Sequence, residues 1–201
     1  MKRVALTGNV ASGKSEVARI WREAGVPVVS ADDLSRQVTA PGSEGLAAVV
    51  EALGRDVLDS RGALDRDRVR NRVFKDPEAR RTLEAVLHPR IRRVRDRWEA
   101  RVQAGGAALA VSEIPLLFEA GLAEGFDVVV LVDAPEELRR ERLEARPGVD
   151  AEEASRIMGA QMAAELKRER ADFVLENDGT LEALEEQALA LLRTLRDGGE
   201  A

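Results

Sequence analysis

The chain has 201 residues, the length of one large domain or of one domain with inserts, and enough to bury a substantial core. Apolar residues make up 44% and charged residues 34%, which excludes a disordered chain. The net charge, 31 − 37 = −6, argues against a uniformly basic nucleic-acid binder. There is no cysteine, so disulfides, thiolate zinc sites and thiol catalysis are excluded, and one histidine, His88, argues against a His-rich metal site or a Ser-His-Asp triad. Lys2 and Arg3 precede only a short apolar run, and Glu113 interrupts the best candidate for a longer one. No leader or membrane span is therefore expected, and the protein is expected in the cytoplasm.

Residues 3–7, RVALT, read as a buried strand ending at Gly8, and residues 14–24 as a helix ending at Gly25. VPVV at 26–29 reads as a second strand, with Ser30 placed to cap a helix running to about Val38. Residues 43–103 read as almost wholly helical, divided by Gly54, the DSRG turn at 59–62, Pro77 and Pro89. AALAVS at 107–112 resumes as a strand, and DVVVLVD at 127–133 is the clearest one, its unbroken apolar run indicating a parallel sheet covered on both faces. Helices are predicted at about 135–145, 151–170 and 180–196, with a last strand at 172–177. Residues 197–201 are expected to fray. Five strands alternating with helices predict a doubly wound parallel α/β fold carrying a helical insertion at 43–103. Residues 66–101 hold thirteen Arg/Lys and six Asp/Glu, about +7 in an acidic chain. Such a stretch is either a set of solvated helix faces or a surface for an anionic substrate.

Gly8-Asn9-Val10-Ala11-Ser12-Gly13-Lys14-Ser15 is G-x-x-x-x-G-K-S, set between a strand and a helix. A polyphosphate needs many donors and little bulk. Glycines let successive amides turn inward, and the helix that follows offers its positive end. Lys14 suits the β- and γ-phosphates, and the Ser15 hydroxyl suits a Mg²⁺ bridging them. The motif indicates ATP and Mg²⁺ and leaves the acceptor open. No N-K-x-D guanine motif is present. The small size favours a small-molecule kinase over a motor.

Asp32 and Asp33 follow the second strand, where doubly wound folds place ligands. They suit either a base for an attacking hydroxyl or the charge of a helix first turn. Arg142 and Arg146, spaced i, i+4, are predicted to share a helix face. They suit either adenine stacking with phosphate contact or an ordinary exposed surface.

Taken together these segments resemble the dephospho-CoA kinase family from end to end. ALTGNVASGKS, SADDLSRQVTAPG, the helical run containing Leu-His-Pro, EIPLLFEAG, ERLEAR, RIMGAQM and ADFVLENDGTLEAL follow in the family's order. The resemblance implies a P-loop kinase fold with a helical acceptor-binding insertion and a mobile lid at 146–162. It implies transfer of the γ-phosphoryl group of ATP to the ribose 3′-hydroxyl of dephospho-CoA, the last step of coenzyme A synthesis. Asp32 takes the place of the catalytic base, with Lys14 and the lid residue Arg146 completing the catalytic set. The ATP site is then residues 8–16 (Glu16 closing it) with Arg142 on the adenine and Asn177 in the adenine-side loop. Asp32, Arg36, His88, Pro89 and Leu116 are the acceptor candidates. His88 is alternatively a structural hydrogen-bonder, and the Leu116-Leu117-Phe118 run reads as core more readily than as a pantetheine contact. Neither nucleic acid nor membrane is an expected partner, and a monomer is expected.

The chain also departs from the family pattern. The usual loop is G-G-I-G-S-G-K-S, and here Asn9 and Ala11 replace two glycines. Asn9 tolerates left-handed backbone, whereas Ala11 requires a negative φ unless strain is accepted. Ser30 replaces an aspartate, and Glu113 stands where an aspartate is usual. Glu113 is placed either to hold a water of Mg²⁺ or to pair with Lys14. Two rival functions remain at this level: a nucleoside or nucleotide kinase of the same fold, and a nucleotide-sensing module without catalysis.

Overall fold

A computed structural model describes residues 1–197, so the fraying expected beyond that point lies outside the described residues. Two compact units are present, Met1–Ser30 with the chain from Val102 onward, and Ala31–Arg101.

The first unit is built on five parallel strands, β1 (Lys2–Thr7), β2 (Val28–Ser30), β3 (Leu109–Glu113), β4 (Val128–Asp133) and β5 (Phe173–Glu176), in the order β2-β3-β1-β4-β5. All five residues of β3 and the last five of β4 are buried, as the unbroken apolar runs predict for strands covered on both faces. Beside the sheet, α1 (Lys14–Glu23) and α9 (Leu181–Arg196) form one core. Val17, Ala18, Ile20 and Trp21 of α1 meet Leu184, Ala188, Leu191, Leu192 and Leu195 of α9. These α9 positions repeat at helical spacing, which puts them on one face. The fully buried Trp21 donates its indole N–H to the Ala188 carbonyl at 2.9 Å, so the only polar atom of that ring is satisfied. Thr180 caps α9, accepting from the Ala183 amide.

The order places β1 between β3 and β4, so the chain changes direction of travel across the sheet at β1. Ligands of doubly wound folds lie outside the carboxyl ends of the strands at such a point. Register brings Leu6 beside Glu113 and Asp133 beside Glu176 along that edge. The remaining helices of this unit are α6 (Glu136–Glu144), α7 (Ala151–Gly159) and α8 (Ala164–Arg168). The single helix predicted over 151–170 is thus two. Met162 uses its amide and carbonyl on side chains elsewhere, and these tertiary bonds override the helical propensity of the connecting residues.

The second unit is helical: α2 (Ala31–Val38), α3 (Glu44–Leu53), α4 (Arg66–Lys75) and α5 (Pro77–Ala104), the last running on past Arg101. It begins at Ala31 and includes α2, which the reading from sequence left outside the insertion. Val49, Leu53, Val57, Val69 and Ala79 are its core, with Leu64, Leu83 and Leu87 packed against them. Ser43 caps α3 through the Leu46 amide, Asp65 caps α4 through the Arg68 amide, and Asp76 receives the Glu78 and Ala79 amides ahead of Pro77. The DSRG segment is a tight turn in which Asp59 accepts from the amides of Arg61 and Ala63. Leu58 and Leu64 pair across it. Pro89 does not divide the helices as expected, because α5 continues through it. A proline disturbs the carbonyls three and four residues before it. The Arg90 guanidinium donates to one of them, Val86 O, at 2.7 Å.

Candidate active site

The phosphate loop joins β1 to α1 in a cradle that only particular residues permit. A Cβ on Gly8 would lie 2.4 Å from the Val132 carbonyl oxygen and 2.5 Å from Ser12 Oγ. Gly13 has φ 94°, and a Cβ there would lie 2.1 Å from Asn177 Nδ2. Both motif glycines are thus dictated by close approach, and Gly13 also by left-handed backbone. Among the described residues Ala11, at φ 61°, is the only other-than-glycine residue with positive φ. The strain expected of Ala11 is accepted, and Asn9, suited to that conformation, does not adopt it.

The loop amides divide into two sets. Ser12 N donates to Asn9 O at 3.1 Å, Glu16 N to Gly13 O at 2.9 Å and Val10 N to Gln161 Oε1 at 2.8 Å. The amides of Ala11, Gly13, Lys14 and Ser15 carry no hydrogen bond among the described residues. Successive amides left unpaired at the start of a helix form a concave anion-binding nest. The sequence assigned all nine residues of 8–16 to ATP, and these four unbonded amides lie together between Ala11 and Ser15. Glu16 turns its side chain to Arg19.

Behind the nest, Lys14 Nζ lies 3.0 Å from Glu113 Oε1, and Ser15 Oγ donates to the same oxygen at 2.8 Å. Arg22 approaches the other carboxylate oxygen at 3.7 Å. Burial alone would raise the Glu113 pKa, but Lys14, Ser15 and Arg22 outweigh it and hold the group below the usual carboxylate range. Mg²⁺ takes oxygen ligands and keeps several of its waters. The Ser15 hydroxyl and the Glu113 carboxylate supply oxygen donors side by side, and the site fits that ion.

Arg142 and Asn177 close the loop from the other side. Arg142 donates to Ala11 O and Asn177 O at 3.4 and 3.3 Å, and Asn177 Nδ2 donates to Ser12 O at 2.8 Å. The structure therefore unites the loop, Arg142 and Asn177. Arg146 does not share the helix face of Arg142. The helix α6 ends at Glu144, and Arg146 is exposed in the turn beyond. It precedes Pro147, which bars it from helical backbone.

The acceptor candidates lie mostly in the helical unit. Asp32 and Arg36 line a cleft of about 310 Å³ with Arg66, Arg70, Leu64, Leu83 and Leu87. Pro89 lines a different cleft, of about 430 Å³, with Arg90, Arg93 and Arg97. His88 is exposed and lines neither. Leu116, in the sheet unit, is 40% exposed while Leu117 and Phe118 are buried, so the run divides between core and surface.

Two features escaped the reading from sequence. Lys167 is fully buried and pairs with Glu119 at 2.7 Å, and Arg168 bridges Asp133 and Glu176. Lys167 and Arg168 sit in a charged run that looks like any solvated helix, so no pattern marked them.

A glycine-rich loop at the switch point of a parallel sheet, with a nest of free amides and an adjacent lysine and hydroxyl, defines a P-loop kinase. A sequence model of one such family, described as dephospho-CoA kinase (CoaE), matches residues 2–183, and the chain belongs to that family. It is 46% identical over 198 residues to the dephospho-CoA kinase of Anaeromyxobacter dehalogenans, covering 98% of this chain and 94% of that one. The crystal structure of TT1252 from Thermus thermophilus superposes with a TM-score of 0.82 at 40% identity, covering 96% of this chain and 97% of that one. The dephospho-CoA kinase from Campylobacter jejuni superposes with a TM-score of 0.72 at 25% identity, covering 98% of both.

Proposed function

We propose that this kinase transfers the γ-phosphoryl group of ATP to the ribose 3′-hydroxyl of dephospho-CoA, with Asp32 receiving the hydroxyl proton. The observation that carries the reading is the set of four free amides beside Lys14 and Ser15 at the carboxyl edge of the sheet. Phosphoryl transfer passes through a loose transition state, so placed positive charge and donors do most of the work. The amides hold the phosphate chain, Lys14 leaves Glu113 for the β- and γ-phosphoryl oxygens, and Arg142 lies where adenine would stack. Mg²⁺, held by Ser15 with Glu113 nearby, would supply neutralisation of the charge that builds on those oxygens. Arg146, exposed on the turn after α6, is free to meet them from the segment 146–162, read as a lid.

On the acceptor side, Asp32 shares its cleft with Arg36, Arg66 and Arg70 and with an apolar wall of leucines. That mixture suits a molecule with phosphates at one end and an apolar arm. The reaction needs no nucleic acid, no membrane and no second chain, and the cytoplasm supplies its ATP. Among the described residues no helix is long and apolar enough to cross a membrane.

A coupled assay of ADP release with dephospho-CoA, set against nucleosides and nucleotides as acceptors, tests the substrate. Faster transfer to a nucleoside would replace this reading with its rival. Asp32→Asn is expected to lower kcat by about 10²–10⁴ while ATP affinity holds. Near-normal turnover in that variant would remove Asp32 as the base.

A further inference from the structure

We propose that Gln161 is a further phosphate-site residue, donating from its carboxamide to the outermost phosphoryl group, and that Asn9 positions it. The proposal rests on the reading above and adds a group to that same site. Gln161 Oε1 accepts from Val10 N at 2.8 Å. An amide N–H can be met only by the oxygen of a carboxamide, so this bond fixes which end of Gln161 grips the loop. The Nε2 group, with two N–H donors, is left without a protein partner among the described residues. It is held one residue from Ala11, the first of the four free amides. Two neutral donors fixed there extend the nest beyond the loop itself.

The segment carrying Gln161 is anchored at its next residue. Asn9 Nδ2 donates to Met162 O at 3.2 Å, and Met162 N donates to Glu119 Oε1 at 3.0 Å. Glu119 is held in turn by the buried Lys167 at 2.7 Å. Burial alone would raise the Glu119 pKa, but Lys167 and the Met162 amide keep it low and therefore charged. Both backbone polar groups of Met162 are thus clamped, the carbonyl from the phosphate loop and the amide from a buried ion pair. A glycine at position 9, as in the usual loop, has no side chain to make the first of these bonds. Asn9 therefore explains itself as a positioning residue and not as a left-handed turn residue. Gln161 and Met162 are thus tied at the far end of the segment 146–162, which confines lid motion to the residues before Gln161.

The test compares affinities for ADP and for a non-hydrolysable ATP mimic, because Gln161 is assigned to the group that only the latter carries. Gln161→Glu keeps an oxygen for Val10 N, so the fold is preserved, but it loses the donors and adds a negative charge. It is expected to weaken the ATP mimic roughly tenfold or more while ADP affinity stays within about twofold, with kcat falling in parallel. Asn9→Gly is expected to give the same selective loss, smaller, with Gln161 intact. A purely structural role would weaken both nucleotides together, and equal shifts or no shift in either variant would overturn the assignment. If the unaltered protein bound neither nucleotide, the functional reading would fall and this inference with it. An unchanged ratio in variants of a protein that binds both would sink this inference alone.

Discussion

The loop residues show how much one position can decide. Ala11 holds φ 61°, a conformation that costs an L-residue roughly 1–2 kcal/mol, whereas glycine reaches it freely. Glycine also costs about 0.5–1 kcal/mol in unfolded-state freedom. The difference favours Ala11→Gly by roughly 0.5–1 kcal/mol, read as a higher urea midpoint with the slope unchanged. A fall in the midpoint would show that the alanine methyl makes packing that outweighs the strain. The motif glycines and Lys14-Ser15 were legible because their physics is local: a polyphosphate demands backbone donors and no bulk. Lys167 was not, because what buries it lies 48 residues away at Glu119. No local pattern distinguishes a buried lysine from a solvated one.

Elements were legible where apolar period and flanking signals agreed, and less so where tertiary bonds decided. All five strands follow from the apolar runs and the turn residues that bound them. The break between α7 and α8 does not, since Gln161 and Met162 leave helical pairing for bonds to Val10, Asn9 and Glu119. Pro89 is the opposite case, a breaker that fails to break. It sits exposed within the 28-residue α5, whose part before the proline is held by the core that includes Leu83, Val86 and Leu87. A helix-interior proline costs about 3 kcal/mol, offset by its restriction of the unfolded chain by up to about 1 kcal/mol. Pro89→Ala restores a donor for the Ala85 carbonyl and removes no buried surface. It is expected to stabilise the protein by roughly 1–2 kcal/mol in urea titration. Destabilisation would mean that the ring itself is needed, and a raised KM for dephospho-CoA in the stabilised variant would assign Pro89 to the acceptor.

At the scale of the whole chain, its two tryptophans fall in different units: Trp21 in the core between α1 and α9, Trp98 on α5. The phosphate loop and α1 are continuous, with Trp21 seven residues beyond Lys14 on the helix whose start is the nest. A nucleotide bound there stabilises the environment of Trp21 directly. Ligand at a hundred times its Kd adds about 2.7 kcal/mol to the bound form. For a chain of this size each kcal/mol moves Tm by about 2–4 °C, so a shift of roughly 5–10 °C is expected. In Trp98→Phe, where Trp21 is the sole indole, fluorescence melting with Mg²⁺ and a non-hydrolysable ATP mimic should show that shift. Lys14→Ala should abolish it, because the nest loses the cation on which tight phosphate binding depends. An equal shift in both proteins would place the nucleotide away from the loop, and no shift in either would remove the phosphate-loop reading on which the catalytic assignment stands.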